Sequence, residues 1–160
     1  VFYSDVTNKI QSVANVSGVK SQMQNVGKVR ISGVELGLRS PISTAWELGS
    51  GYTYTDLENV SSPATKITDI PNHKLTAHVL YHPISSVDLL AFAEYNSNKW
   101  ASNTVELAGF TTLNLKAVYR PIQKLSTEVG VNNLADKNYF LADGFPNPGR
   151  TWFANLNYQF

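Results

Sequence analysis

The chain has 160 residues, of which 42% are apolar, 16% are charged and none is cysteine, and its formal net charge is +1. This length and composition are typical of one folded domain and exclude a disordered or fibrous protein. The balanced charge gives no electrostatic footprint for nucleic acid. Without cysteine there is no disulfide framework and no Cys-based metal or redox site.

No stretch of the sequence is long and apolar enough for a membrane helix. The longest apolar run, residues 89–93, has five residues, whereas a spanning helix needs about 20. The chain also begins at Val1 without an initiating Met or a signal-peptide pattern, so we expect a mature, trimmed or partial chain.

Alternation of apolar and polar residues recurs along the chain and predicts about eight β-strands. In chain order, the segments lie at residues 1–10, 34–39, 46–54, 75–81, 87–95, 112–120, 125–131 and 152–160. The last segment is the clearest, because Trp152, Ala154, Leu156, Tyr158 and Phe160 share one face and Phe153 is the single exception.

The connectors between these segments are of two kinds. Three contain a Pro-Ile pair, at residues 41–42, 83–84 and 121–122, and predict tight turns. The others are long, at residues 11–27, 58–70, 98–109 and 136–149. Because short and long connectors alternate, antiparallel strands place all short turns at one end, as in outer-membrane barrels. We therefore expect an all-β fold, an antiparallel transmembrane β-barrel segment of about eight strands.

Aromatic residues cluster near the strand ends, where Trp and Tyr favour membrane interfaces. One predicted girdle, near the short turns, contains Trp46, Tyr81, Tyr119, Tyr158 and Phe160. The other, near the long loops, contains Tyr54, Tyr95, Trp100, Tyr139 and Trp152. The opposite strand face is charged and is expected to line the barrel lumen, with Glu35, Arg39, Glu47, Asp88, Glu94, Lys116, Arg120 and Glu128.

The C-terminal third carries a specific motif. Residues 130–139 read Gly-Val-Asn-Asn-Leu-Ala-Asp-Lys-Asn-Tyr, and Pro-Gly-Arg-Thr-Trp follows at 148–152, with Phe160 last. This resembles the end of TonB-dependent outer-membrane receptors, although Ala135 replaces the usual Phe. Gly-Val-Glu-Leu at 33–36 and Pro-Asn-His-Lys-Leu at 71–75 are similar to earlier strands of that family.

The resemblance implies a 22-stranded barrel that imports a ferric siderophore or a related scarce nutrient across the outer membrane of a Gram-negative bacterium. Residues 1–160 would be the C-terminal portion of the barrel, with the plug domain and the TonB-contacting segment absent. The implied partners are the small-molecule ligand, TonB through that missing N-terminal segment, outer-membrane lipid and the barrel-assembly machinery. The assembly machinery would recognise the C-terminal signature Leu156, Tyr158 and Phe160.

The sequence offers little for catalysis or metal binding. His78 and His82 share a strand face but are about 13 Å apart, too far for one metal ion. No hydrolase, zinc-protease or phosphate-loop spacing occurs in the sequence. We therefore expect no enzyme activity, no catalytic or metal site and no cofactor. The candidate ligand contacts lie in or beside the long loops: Trp100, Tyr139, Phe145 and Arg150.

Asp136, Asn138 and Arg150 flank the final long loop. Turn formation is the favoured interpretation for them, since Asn and Asp side chains bond their own backbone. Two alternative folds stay open at this point. One is a complete eight-stranded outer-membrane barrel with a structural or adhesion role, and the other is a soluble β-sandwich binding module.

Overall fold

The computed structural model describes residues 1–16 and 19–160. Its strands, in chain order, are β1 (Phe2–Val16), β2 (Val19–Pro41), β3 (Trp46–Asn59), β4 (His73–Ile84), β5 (Val87–Asn96), β6 (Lys99–Trp100), β7 (Glu106–Leu107), β8 (Phe110–Ile122), β9 (Leu125–Asn132), β10 (Phe140–Ala142), β11 (Phe145–Pro146) and β12 (Thr151–Tyr158). In the described part of the chain, no helix could cross a membrane.

Eight strands form one antiparallel sheet in the order β1-β2-β3-β4-β5-β8-β9-β12. The remaining strands form two small hairpins, β6 with β7 and β10 with β11. The prediction of an all-β fold with eight antiparallel strands is confirmed. The main sheet is a single layer, so the described residues do not form the two packed sheets of a sandwich.

The strand register places apolar side chains on one face and most polar and charged side chains on the other. Leu48 lies opposite Val79, Ala91 opposite Leu115, and Ala117 opposite Val129. Because side chains alternate along a strand, these positions belong to a continuous apolar face that runs from β2 to β12. Phe153, the exception in the last strand, lies opposite Gly130 on the polar face.

The first strand differs from the other seven. It pairs only with residues 19–33 of β2, whereas Val34 of β2 lies opposite Tyr54 of β3. Tyr54 belongs to the long-loop girdle, so β1 lies beyond the apolar part of the sheet. Residues 2–16 of β1 therefore pair with β2 at the long-loop end of the eight-stranded sheet.

The predicted long connector at residues 11–27 is wrong. Residues 11–16 belong to β1 and residues 19–27 belong to β2, and the two strands pair with each other. Residues 17–18 of the predicted connector lie outside the described residues. The alternation was missed because polar residues interrupt it in the sequence, among them Gln11, Ser12, Gln22, Gln24 and Asn25. A positive φ of 82° at Gly27 accompanies a register shift in this hairpin.

The Pro-Ile pairs also lie differently from the predicted turns. Pro41 is the last residue of β2 and pairs with Glu47, and the chain turns just after it. The other two pairs are still part of β4 and β8, at register shifts, and the turns follow at residues 85–86 and 123–124. Proline removes one ladder hydrogen bond, so it suits a bulge as well as a turn.

Candidate functional site

The aromatic residues form two rows that bound the apolar face. At the short-turn end, Trp46 stacks on Tyr81 with ring centroids 4.1 Å apart, and Tyr158 meets Phe160 edge-on at 5.2 Å. Near the long-loop end, Tyr54, Tyr95 and Trp152 lie on the same face. Rings at both borders of an apolar band match the two interfaces of a bilayer.

Trp100 and Tyr139, which were predicted for the long-loop girdle, lie in loops instead. Trp100 belongs to the small β6–β7 hairpin. The ring of Tyr139 stacks on Phe110 at 4.2 Å, and Phe110 alternates with Thr112 on the polar face of β8. In their place His73 joins the girdle, because its Nδ1 lies 2.8 Å from the hydroxyl of Tyr52 and its ring packs against Tyr54.

The polar face carries ion pairs between neighbouring strands, as the predicted lumen-facing charges suggest. Arg39 donates to both carboxylate oxygens of Glu47, at 2.8 and 2.9 Å. Further pairs join Lys74 to Glu94, Arg120 to Asp88 and Lys116 to Glu128. These pairs connect β2 to β9 on the face away from the apolar band. Among the charges predicted for this face, Glu35 is the one without a salt bridge in the described part of the chain.

The two histidines on this face each lie beside a carboxylate. His82 Nδ1 is 2.5 Å from Asp88 Oδ1, and His78 Nε2 is 3.8 Å from Glu47 Oε1. The imidazole of His78 also lies over Gly49, where any Cβ would collide with the ring. Within the described residues, no three His, Cys, Asp or Glu side chains are grouped to hold a metal ion.

Two loops at the long-loop end are joined by hydrogen bonds and by a cation–π contact. The backbone N–H of Asp69 donates to the carbonyl of Trp100 at 2.8 Å, and the N–H of Lys66 donates to Asn103 Oδ1 at 2.9 Å. The ammonium of Lys66 lies 5.0 Å from the centre of the Trp100 indole. These contacts join the loop between β3 and β4 to the loop between β5 and β8.

A cavity of about 260 Å³ lies between these two loops. Its lining includes Lys66, Lys99, Trp100, Glu58, Asn98 and Glu106. Because it combines an indole with four charged side chains at the long-loop end of the sheet, this cavity is the best candidate for ligand contact in the described structure.

The four predicted ligand contacts are not brought together. Trp100 lines the cavity, whereas Tyr139 stacks on Phe110. Phe145 is 73% exposed in the β10–β11 hairpin. The side chain of Arg150 is exposed, and its backbone N–H donates to Asp136 Oδ1 at 2.7 Å. Contact of each of these residues with a ligand stays a prediction.

Asn133 organises the last long loop, a role that was not singled out from the sequence. It is 4% exposed and has a positive φ of 51°. Its Nδ2 donates to the carbonyls of Lys137 and Pro148, at 2.8 and 3.4 Å, and its Oδ1 accepts from Lys137 N–H. The available signal was its place in the quoted motif, directly before Leu134. With Asp136, which also has a positive φ, it supports the turn interpretation of this segment.

The residues of the predicted C-terminal signature lie on or just after the edge strand β12. Leu156 and Tyr158 are on the apolar face, and Phe160 follows the strand. All three side chains are exposed, at 72%, 50% and 106%. This exposure agrees with a place at the border of a bilayer, and their recognition by the assembly machinery stays a prediction.

A single open sheet with an apolar band between two aromatic rows, and with all long loops at one end, defines the wall of an outer-membrane β-barrel. A family model described as "TonB dependent receptor-like, beta-barrel" matches residues 1–134. The chain belongs to this family, whose members are transport receptors.

Relatives and solved structures agree with this membership. The chain is 28% identical over 133 residues to the probable TonB-dependent siderophore receptor PiuA of Acinetobacter baumannii, covering 72% of this chain and 18% of PiuA. It is 26% identical over 178 residues to the catecholate siderophore receptor Fiu of Escherichia coli K12, covering 100% of this chain and 23% of Fiu. The chain thus spans about a fifth of the length of these relatives.

Among solved structures, the copper transporter OprC superposes with a TM-score of 0.83 at 22% identity, over 99% of this chain and 28% of OprC. The ferric enterobactin receptor PfeA of Pseudomonas aeruginosa, in complex with enterobactin, gives 0.78 at 23% identity, over 99% and 28% of the two chains. These matches establish the barrel-wall fold. TonB-dependent receptors of this kind are β-barrel proteins of the Gram-negative outer membrane.

Proposed function

We propose that this chain is part of the barrel wall of an outer-membrane receptor that takes up a ferric siderophore or a similar scarce nutrient with energy supplied through TonB. The observation that carries the proposal is the sheet itself. Its apolar face is bounded by two aromatic rows, and its long loops gather at one end, in a chain that belongs to the TonB-dependent receptor family.

The proposed ligand class follows from the relatives. PiuA and Fiu are named as siderophore receptors, and PfeA is a ferric enterobactin receptor. OprC is named as a copper transporter, but the relatives found by sequence are named for siderophores. A chelated iron complex, bound by loop side chains, is therefore the ligand class that we propose.

The remaining parts of the proposal concern organisation and partners. We assign residues 1–160 to the C-terminal portion of the 22-stranded barrel, with the plug domain and the TonB-contacting segment outside this stretch. Outer-membrane lipid would cover the apolar face, and the barrel-assembly machinery would recognise Leu156, Tyr158 and Phe160, which are exposed along the edge strand. We propose the outer membrane of a Gram-negative bacterium as its location and transport without enzyme activity as its role.

A complete eight-stranded barrel is less well supported. Such a barrel needs its first and last strands to pair, yet β1 and β12 are the two edges of the sheet in the described structure.

The experiment that tests the proposed function is iron uptake in the bacterium that encodes the chain. We expect deletion of the gene to abolish uptake of at least one radiolabelled ferric siderophore under iron limitation, and a plasmid copy to restore it. Inactivation of TonB in the complemented strain should abolish the same uptake. Unchanged uptake of every siderophore tested, with normal growth under iron limitation, would contradict the proposal.

A further inference from the structure

The cavity between the β3–β4 and β5–β8 loops is too small to hold a whole ligand. It measures about 260 Å³, whereas pockets that enclose a drug-sized molecule measure about 300–1,000 Å³. Asn72 and Asn98 contribute amide groups to its wall, and Ile67 and Trp100 contribute apolar surface. A cavity of this size and lining suits one arm of a larger molecule.

The acidic side chains that line the cavity have polar partners, whereas the two lysines have no carboxylate partner. Glu58 accepts from Arg30 at 2.9 Å, and Glu106 accepts from the side-chain amide of Asn98. By contrast, neither Lys66 nor Lys99 has a carboxylate within salt-bridge distance among residues 1–16 and 19–160. Glu106 keeps its negative charge because the Asn98 amide is neutral, so two unpaired ammonium groups face one unpaired carboxylate and the lining has a net positive charge, which favours an oxyanion.

Lys66 is also held in place before any ligand binds. Its N–H donates to Asn103 Oδ1 at 2.9 Å, and its carbonyl accepts from Nε2 of the buried Gln11 at 2.7 Å. The next residue, Ile67, is buried with Val26 and Val29. Fixing the backbone of a binding residue in advance lowers the entropy cost of binding, so these contacts position the exposed side chain of Lys66 at the cavity.

Lys99 and Trp100 complete the arrangement from the second loop. Both belong to β6, which pairs with β7 through Lys99 to Leu107 and Trp100 to Glu106. Leu107 is buried, which anchors this hairpin. The indole already lies under the Lys66 ammonium, and such a cation–π contact orients the lysine without neutralising its charge.

We propose that this cavity binds a negatively charged arm of the transported iron complex, with Lys66 and Lys99 contacting its oxyanion and Trp100 forming the wall. This inference rests on the proposed function and deepens it by naming the charge of the ligand. It selects anionic ferric complexes, such as those of catecholates, over neutral ferric complexes, such as those of trihydroxamates.

The test compares two probes on the complete receptor, purified in detergent: an anionic ferric tris-catecholate and a neutral ferric tris-hydroxamate. The variants are Lys66→Gln, Lys99→Gln and the conservative Lys66→Arg. Lys137→Gln is the matched control, because it removes the same charge from the β9–β12 loop, and Lys137 does not line the cavity. Affinity is measured by calorimetry at two salt concentrations.

We expect the wild-type receptor to bind the anionic complex, and each cavity Lys→Gln variant to bind it about tenfold more weakly or worse, as for a lost charge-assisted hydrogen bond. Lys66→Arg should retain most of the affinity, and Lys137→Gln should bind like wild type. The affinity lost on raising the salt concentration should be smaller in the cavity variants.

Three results would overturn the inference while leaving the receptor function intact. These are unchanged affinity in both cavity variants, equal weakening by Lys137→Gln, and binding of the neutral complex alone by the wild type. Failure of the wild-type receptor to bind either iron complex would instead count against the proposed siderophore function, and the inference would fall with it.

Discussion

The apolar band and the long-loop end of this sheet are stabilised in different ways. In the band, large apolar side chains are exposed, among them Leu36, Leu38, Leu48, Leu89 and Leu156. At the long-loop end, Val29 is fully buried, and Val26 and Ile67 pack with it. The long-loop end therefore has a small core like that of a water-soluble protein, whereas the band leaves its apolar face exposed, and the proposed function assigns that face to lipid.

Polar groups show the same difference. In the band, charged side chains pair across strands on the polar face only, as in Lys116 with Glu128. At the long-loop end, buried amides such as Asn59 and Asn133 bind the backbone of loops. Ion pairs thus join strands that are already paired by backbone hydrogen bonds, whereas the buried amides fix the conformation of loops that lack such pairing.

The largest expected effect comes from placing a charge on the apolar face of the band. We expect Leu115→Arg to lower the free energy of unfolding in lipid vesicles by about 2–4 kcal/mol, the cost of arginine near a bilayer midplane. The matched control is Leu80→Arg, which lies opposite Glu47 on the polar face and should be much milder. Equal losses in the complete receptor would show that the two faces are not in different surroundings.

A substitution at the long-loop end should destabilise only the loop in which it lies. Asn133→Ala removes the amide that binds Lys137 and Pro148, so we expect about 1–3 kcal/mol less protection of the loop at residues 133–150. Hydrogen exchange measures this protection. Asn138→Ala, an exposed position in the same loop, is the control. If protection in β8 and β9 fell as much as in the loop, the two regions would not be separable.

The aromatic border at the short turns should contribute a smaller, pairwise effect. The stacked rings of Trp46 and Tyr81 are expected to couple by about 0.5–1.5 kcal/mol. A double-mutant cycle with Trp46→Leu and Tyr81→Leu, measured by unfolding in lipid, gives this coupling directly. Tyr119→Leu replaces Tyr81→Leu in the control cycle, since no stacking joins Tyr119 to Trp46 among the described rings. A coupling near zero in the first cycle would contradict the stacked geometry.

The ion pairs of the polar face should have the smallest effect. For Lys116 with Glu128, whose side chains are about one-third exposed and 3.6 Å apart, we expect a coupling of about 0.2–1 kcal/mol. The cycle uses Lys116→Gln and Glu128→Gln, and raising the salt concentration should reduce the coupling. A coupling of several kcal/mol, insensitive to salt, would show that this face is far drier than its exposure indicates.

The band could be predicted from the sequence because one physical rule governs it. In the proposed barrel each strand residue there would meet either lipid or the lumen, so alternation and aromatic positions follow directly, as in 152–158 of β12. The β1–β2 hairpin beyond the band was missed because neither of its faces must be apolar. The turns were predicted at the Pro-Ile pairs because the sequence does not distinguish a proline in a turn from a proline in a β-bulge. Two of the three pairs lie at register shifts within strands.

The candidate site could be predicted only in part. Trp100 was identified because an aromatic residue in a long loop can contact an incoming ligand, but Lys66 and Lys99 were not identified. Their significance depends on which lysines find a carboxylate after folding, and on Gln11 reaching the carbonyl of Lys66 across 55 residues of sequence. Contacts of that range leave no local pattern.

The central claim is that one face of this sheet lies against lipid. Residues 1–160 contain no cysteine, so once any cysteine elsewhere in the complete receptor is replaced by serine, a spin label can be placed at one chosen position. Single substitutions to cysteine at residues 112–118 of β8, in the complete receptor in lipid, would carry a spin label. We expect collisions with dissolved oxygen to peak at Leu113, Leu115 and Ala117, and collisions with a water-soluble nickel reagent to be lowest there. The same profile on both faces, or peaks at Thr112, Lys116 and Val118, would contradict the claim.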